Sequence, residues 1–103
     1  MKYDFRQQQS SETAIRFCSW LEQETIESLR RSYGNGEATK SAIFLFVNRA
    51  YEAHMPEEQI GELFGRCIVR AAFQEADEEP AFSWLEFFGQ LAAKVYGTSE
   101  EQR

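Results

Sequence analysis

Apolar residues recur at three- and four-residue steps in four separate stretches of the chain. This spacing predicts helices over about 11–33, 38–54, 56–75 and 83–96. In the first stretch the apolar series is Ala14, Ile15, Cys18, Leu21, Ile26, Leu29 and Tyr33. Glu12 sits in its first turn and Arg30 and Arg31 in its last, each at the end the helix dipole favours. Gly34, Asn35 and Gly36 stop it, with Gly34 or Asn35 expected to take left-handed backbone. The second stretch is apolar on all sides from Ala42 to Val47. Its continuation through Ala50, Tyr51 and Ala53 gives it the length of a helix rather than a strand. A helix apolar all round has to be covered by neighbouring helices or by a partner chain.

Pro56 disfavours helical backbone at Met55 and suits the first position of a new helix, so the third stretch begins there. Its stripe is Ile60, Leu63, Phe64, Cys67, Ile68 and Ala71. A second face carries Gly61, Gly65, Ala72 and Ala76. Glycine costs about 1 kcal/mol inside a helix, so this face predicts a neighbouring helix lying close against it. Residues 77–80 read as a connector. Ser83 and Glu86 then form a capping box, with Phe82 and Phe87 placed as its hydrophobic staple. Trp84, Phe88, Leu91 and Val95 make the core face of the fourth helix, and Gly97 ends it. Residues 1–10 read as a flexible polar arm and 98–103 as a polar tail. The fold class is therefore all-α, a compact four-helix bundle occupying 11–97 as one domain. The tight join at Met55–Pro56 suggests an orthogonal helix pair. The pattern is compatible with a homodimer.

Composition changes this picture little. Hydrophobic residues make up 43% of the 103 residues, and phenylalanine alone occurs nine times, the opposite of the balance that keeps a chain disordered. The two cysteines, Cys18 and Cys67, each lie on an apolar helical face and read as buried thiols rather than a disulfide framework. No apolar run is long enough to span a membrane, and a cytoplasmic location is expected. Charge is more informative. The net charge is -6, and it divides as -2 over residues 1–29, +1 over 30–70 and -5 over 71–103. A surface that grips phosphates should be basic, so nucleic acid is disfavoured as a partner.

Candidate chemistry is sparse. His54 is the only histidine, and it falls at the end of the second helix on its inner face, where a capping role outweighs a catalytic one. Paired cysteine spacing and a second histidine are both missing, so no zinc site is expected. The acidic group Glu75, Asp77, Glu78 and Glu79 lacks the glycine and alternating ligands of a calcium loop. The glycine pairs Gly34–Gly36 and Gly61–Gly65 lack the context of phosphate loops. No catalytic residue, cofactor or metal is assigned. One motif points elsewhere. Gln59-Ile60-Gly61-Glu62-Leu63-Phe64-Gly65 resembles the first helix and turn of a helix-turn-helix, which would make 57–73 a DNA-reading segment with Arg66 and Arg70 opening the reading helix. Against this, the apolar stripe passes through Gly65 without a change of period, and Ile68, Val69, Ala71 and Phe73 are poorly suited to base edges.

The functional expectation rests on surplus apolar surface. Trp20, Phe44, Leu45, Tyr51, Val69 and Phe73 lie off the four core stripes, and aromatic residues dominate interface hot spots. Arg49, Arg66 and Arg70 could supply a polar rim. These nine residues are expected to bind another protein, either a second copy or a larger assembly. The chain then reads as a non-catalytic interaction module, a small regulator or inhibitor. A further alternative is an acidic nucleic-acid mimic in which Glu75, Asp77, Glu78, Glu79 and Glu86 imitate phosphates and block a basic groove.

Overall fold

The computed structural model of the chain describes residues 3–7, 11–33, 35–72 and 78–101. These form a short 3-10 turn, Phe5–Gln7, and four α-helices: α1 Ser11–Arg31, α2 Gly36–Glu52, α3 Glu57–Ala72 and α4 Glu78–Glu101, with no strand among the described residues. The all-α four-helix architecture expected from the periodicity is the one observed. In the bundle α1 packs on α2 and α3, and α4 packs on the same two, so α2 and α3 stand at opposite corners. The bundle measures 39 × 33 × 18 Å. A thickness of 18 Å is about two helix layers, so each helix keeps a face turned outward.

Phenylalanine builds the centre. Phe46 of α2, Phe64 of α3 and Phe88 of α4 meet there, with Phe64 stacked on Phe88 at 4.3 Å between ring centroids and Phe46 tilted against Phe64 at 5.3 Å. Leu21, Ile26 and Leu29 of α1 and Ile43 and Val47 of α2 close around them, all buried. The stripe of α1 is rotated from the one the apolar spacing suggested. Phe17 is in the core while Ile15 is 64% exposed, because the buried series runs Phe17, Leu21, Thr25, Ile26, Leu29. Thr25 satisfies its buried hydroxyl by donating to the Leu21 carbonyl at 2.7 Å. A buried hydroxyl paired inside its own helix fits an apolar face at little cost.

Helix ends account for most of the differences from the expected boundaries. Asn35 does not take left-handed backbone. At φ -119° it is the N-cap of α2, and its side chain accepts from the Ala38 amide at 3.1 Å. Nearby, Ser32 donates to the Leu29 carbonyl and Thr39 to the Ser32 carbonyl, with the two hydroxyl oxygens 3.0 Å apart, so the turn between α1 and α2 is tied by buried polar groups that are all satisfied. His54 lies beyond the end of α2 and is exposed, not on the inner face of its last turn. Its φ of 61° is left-handed. The Met55 amide donates to the Ala50 carbonyl and the His54 amide to the Tyr51 carbonyl, the two bonds of a Schellman closure. Buried Met55 and Ala50 provide the apolar contact that accompanies it.

The fourth helix starts earlier and ends later than expected. It opens at Glu78, so Ser83 lies inside it and the Ser83–Glu86 capping box does not start it. Pro80 occupies the first turn, where a missing N–H removes no helical bond. Gly97 is passed without a break. Residues 3–7, within the segment read as a polar arm, lie against the core. The Phe5 amide donates to the Ala53 carbonyl at 2.8 Å, and Tyr3, Phe5 and Phe17 form an aromatic cluster.

Candidate protein-interaction surface

Among the described residues the outer side of α2 carries the largest concentration of exposed large apolar groups. Its inner positions Ile43, Phe46, Val47 and Ala50 are all used by the core. Phe44, Leu45 and Tyr51 are left outside at 54%, 44% and 42% exposure. The apolar-all-round reading of residues 42–47 is thus half met: the described residues cover one side of this helix and leave the other bare. Tyr51 meets Tyr96 of α4 edge-on at 5.4 Å, and Lys40 lies 5.8 Å from the centre of the Phe87 ring. The Tyr96 hydroxyl donates to the Met55 carbonyl at 3.0 Å. Burial, reinforced by Glu57 and then by Tyr51, pushes this phenol up to about 12. Stability from the neutral hydroxyl is therefore complete below pH 10 and lost as pH rises through about 12. An alkaline absorbance titration should show Tyr96 ionising late, as pH rises through about 12. Tyr96→Phe should remove that late step and cost about 1 kcal/mol in a denaturant melt.

Other residues singled out from the sequence are more engaged than exposed. Trp20 is half-buried against the core, and the Arg49 guanidinium lies 5.0 Å from its ring centre while also facing Glu24 at 3.9 Å. Arg66 and Arg70 of α3 both grip Glu22 of α1, at 3.2 Å and 2.7 Å, and the Glu22 side chain is only 13% exposed. Arg30 donates to the Arg70 carbonyl at 3.2 Å and adds a second tie between α1 and α3. No sequence signal marks Glu22, because its partners lie 44 and 48 residues away.

Val69 is 61% exposed on the outer face of α3. Since α2 and α3 occupy opposite corners, Phe44, Leu45 and Tyr51 are not brought together with Arg66, Val69 and Arg70 on one face. The face of α3 beside Val69 is also bare. A Cβ added at Gly61 or Gly65 would meet nothing within 4 Å, so the close helix neighbour expected there is not supplied by the described residues. Helix α3 runs unbroken through Gly65, which removes the turn on which the DNA-reading alternative at 57–73 depends. Phe73, Glu75, Asp77 and Ala76 lie outside the described residues, as do the side chains of Glu78 and Glu79, while Glu86 is exposed on α4. Leu85 is an exposed large apolar group that the pattern did not single out, and Ile15 and Tyr33, which it placed on the apolar stripe of the first helix, are exposed as well.

Asp4, Arg6 and His54 are tied together where residues 3–7 meet the end of α2. The Arg6 side chain and amide both bond Asp4 and hold its carboxyl down to about 2, and His54 Nδ1 stands 3.5 Å from the same carboxylate. Burial raises the Cys67 thiol to about 12 and raises that of Cys18 as well, so neither is a ready nucleophile. Both cysteines are free. Among the described residues no group of histidine, cysteine and carboxylate side chains could hold a metal ion, and no helix is long and apolar enough to cross a membrane. Comparison with protein-family models, curated proteins and solved structures finds no match to the chain.

Proposed function

We propose that this chain is a non-catalytic protein–protein interaction module, a small regulator or inhibitor that docks on a larger protein through the outer side of α2. The supporting observation is the exposure of Phe44, Leu45 and Tyr51 on one helix whose inner face is already spent on the core. Single exposed apolar residues are ordinary, but three large ones on a single 17-residue helix form a recognition surface. Tyr51 is an apolar ring with a polar tip, the type of group that anchors interfaces.

The reading is tested by capturing partners from the native cell lysate on wild-type chain and on Phe44→Ser/Leu45→Ser. Both substitutions are on the surface, so each should change folding stability by no more than about 0.5 kcal/mol. The expected result is loss of a captured protein that wild-type chain holds even as salt is raised toward about 1 M, where the screening length falls to about 3 Å. A partner released by salt and indifferent to the double substitution would favour the acidic-mimic alternative and contradict docking through α2.

A further inference from the structure

The outer face of α3 is not covered by any of the described residues and its charges are self-complementary, and we infer that it pairs two copies of this chain antiparallel about a two-fold axis. From its N-terminal end this helix exposes Glu58 and Glu62, then Arg66 and Arg70. A two-fold axis crossing the helix beside Phe64 sets Glu58 against Arg70 of the second copy and Glu62 against its Arg66. Symmetry repeats both pairs, as an isologous interface requires. Glu22 occupies one N–H of each guanidinium, and the remaining donors of Arg66 and Arg70 are available to a second carboxylate.

Shape agrees with charge. The same operation sets exposed Val69 level with Gln59 of the other copy, about 3 Å along the helix from Gly61, where there is room for it, and brings Gly65 close to its own counterpart near the axis. The second copy is then the close helix neighbour that the two glycines lack among the described residues. Helix α2 does not offer this. An antiparallel self-pairing centred between Phe44 and Leu45 would set Lys40 against Arg49 and Glu37 against Glu52, like against like. The α3 contact lies at the opposite corner from α2, so it is independent of the docking reading and leaves the α2 surface free.

A single helix pair is a small interface, so a weak, concentration-dependent dimer is expected. Sedimentation equilibrium on the full chain, from micromolar to about millimolar concentration, should follow a monomer–dimer equilibrium. Val69→Glu and Gly61→Leu should each weaken it at least about tenfold, while Phe44→Ser leaves it unchanged. Glu58→Arg/Glu62→Arg and Arg66→Glu/Arg70→Glu should each be monomeric alone and associate when mixed. The second of these removes the partners of Glu22. If circular dichroism shows that it fails to fold, Val69→Glu and Gly61→Leu decide the matter. A strict monomer at the highest concentration overturns the inference, as does a dimer that Phe44→Ser abolishes and Val69→Glu leaves intact.

Discussion

Phe64→Ala should destabilise the fold by about 3–5 kcal/mol, the largest effect expected of any single substitution considered. Phe64 is fully buried, and its ring stacks on Phe88 and packs against Phe46, so it is the contact through which three of the four helices meet. Truncation removes the transfer energy of the ring and leaves a cavity whose rigid aromatic walls cannot collapse into it. Domains of this size have only about 5–15 kcal/mol of net stability, so the loss is a large fraction of the total. Guanidinium melts followed by circular dichroism would show the midpoint fall sharply with little change in slope. A loss below about 1 kcal/mol would mean that the three rings do not form the centre of the core. Phe64→Leu, which keeps most of the volume, should recover more than half of the loss.

The opposite sign is expected at the helix glycines. Gly61→Ala, Gly65→Ala and Gly89→Ala together should stabilise the monomer by about 2 kcal/mol. Each glycine leaves the unfolded chain more backbone freedom than alanine would, and each native position is helical, so alanine gains about 0.5–1 kcal/mol where nothing obstructs its methyl group. The added Cβ would meet nothing within 4 Å at any of the three sites. Gly89 lies on α4, a different helix from the other pair, which favours additive effects. The melts belong at low micromolar concentration, where self-association through α3 makes no contribution. A triple variant no more stable than wild type would show that these helices are not formed as described. Glycines that cost stability without a benefit inside the chain are what a surface used in association would carry.

The same glycines show where the sequence was legible and where it was not. Helix number and order followed from periodicity, because an apolar stripe at a 3.6-residue period has no other way to be buried. Core membership was read correctly at Leu21, Phe64 and Phe88, each sitting mid-stripe. It failed at Ile15 and Phe17, two positions apart near the start of α1, where a small rotation of the stripe exchanges which is inside. Helix ends were harder. Pro80 and Gly97 look like stops but lie within α4, since proline is harmless in a first turn and a single glycine costs only about 1 kcal/mol. His54 stands where glycine is usual, and only the backbone reveals it as the left-handed residue closing α2.

The candidate surface was partly legible for the same reason. Phe44, Leu45, Tyr51 and Val69 lie off their stripes, and helical geometry alone puts them outside. What periodicity cannot supply is the relative placement of helices. The diagonal arrangement of α2 and α3 separates residues that looked like one patch, and the Glu22 pairs show that two of the supposed rim arginines already join α1 to α3.

Hydroxyl-radical footprinting of the chain, free and in its captured complex, tests the role of α2 most directly. Side-chain oxidation should fall at Phe44, Leu45 and Tyr51 on binding and stay unchanged at Ile15. Full oxidation of the three α2 residues in the complex, with protection confined to other faces, would contradict the account.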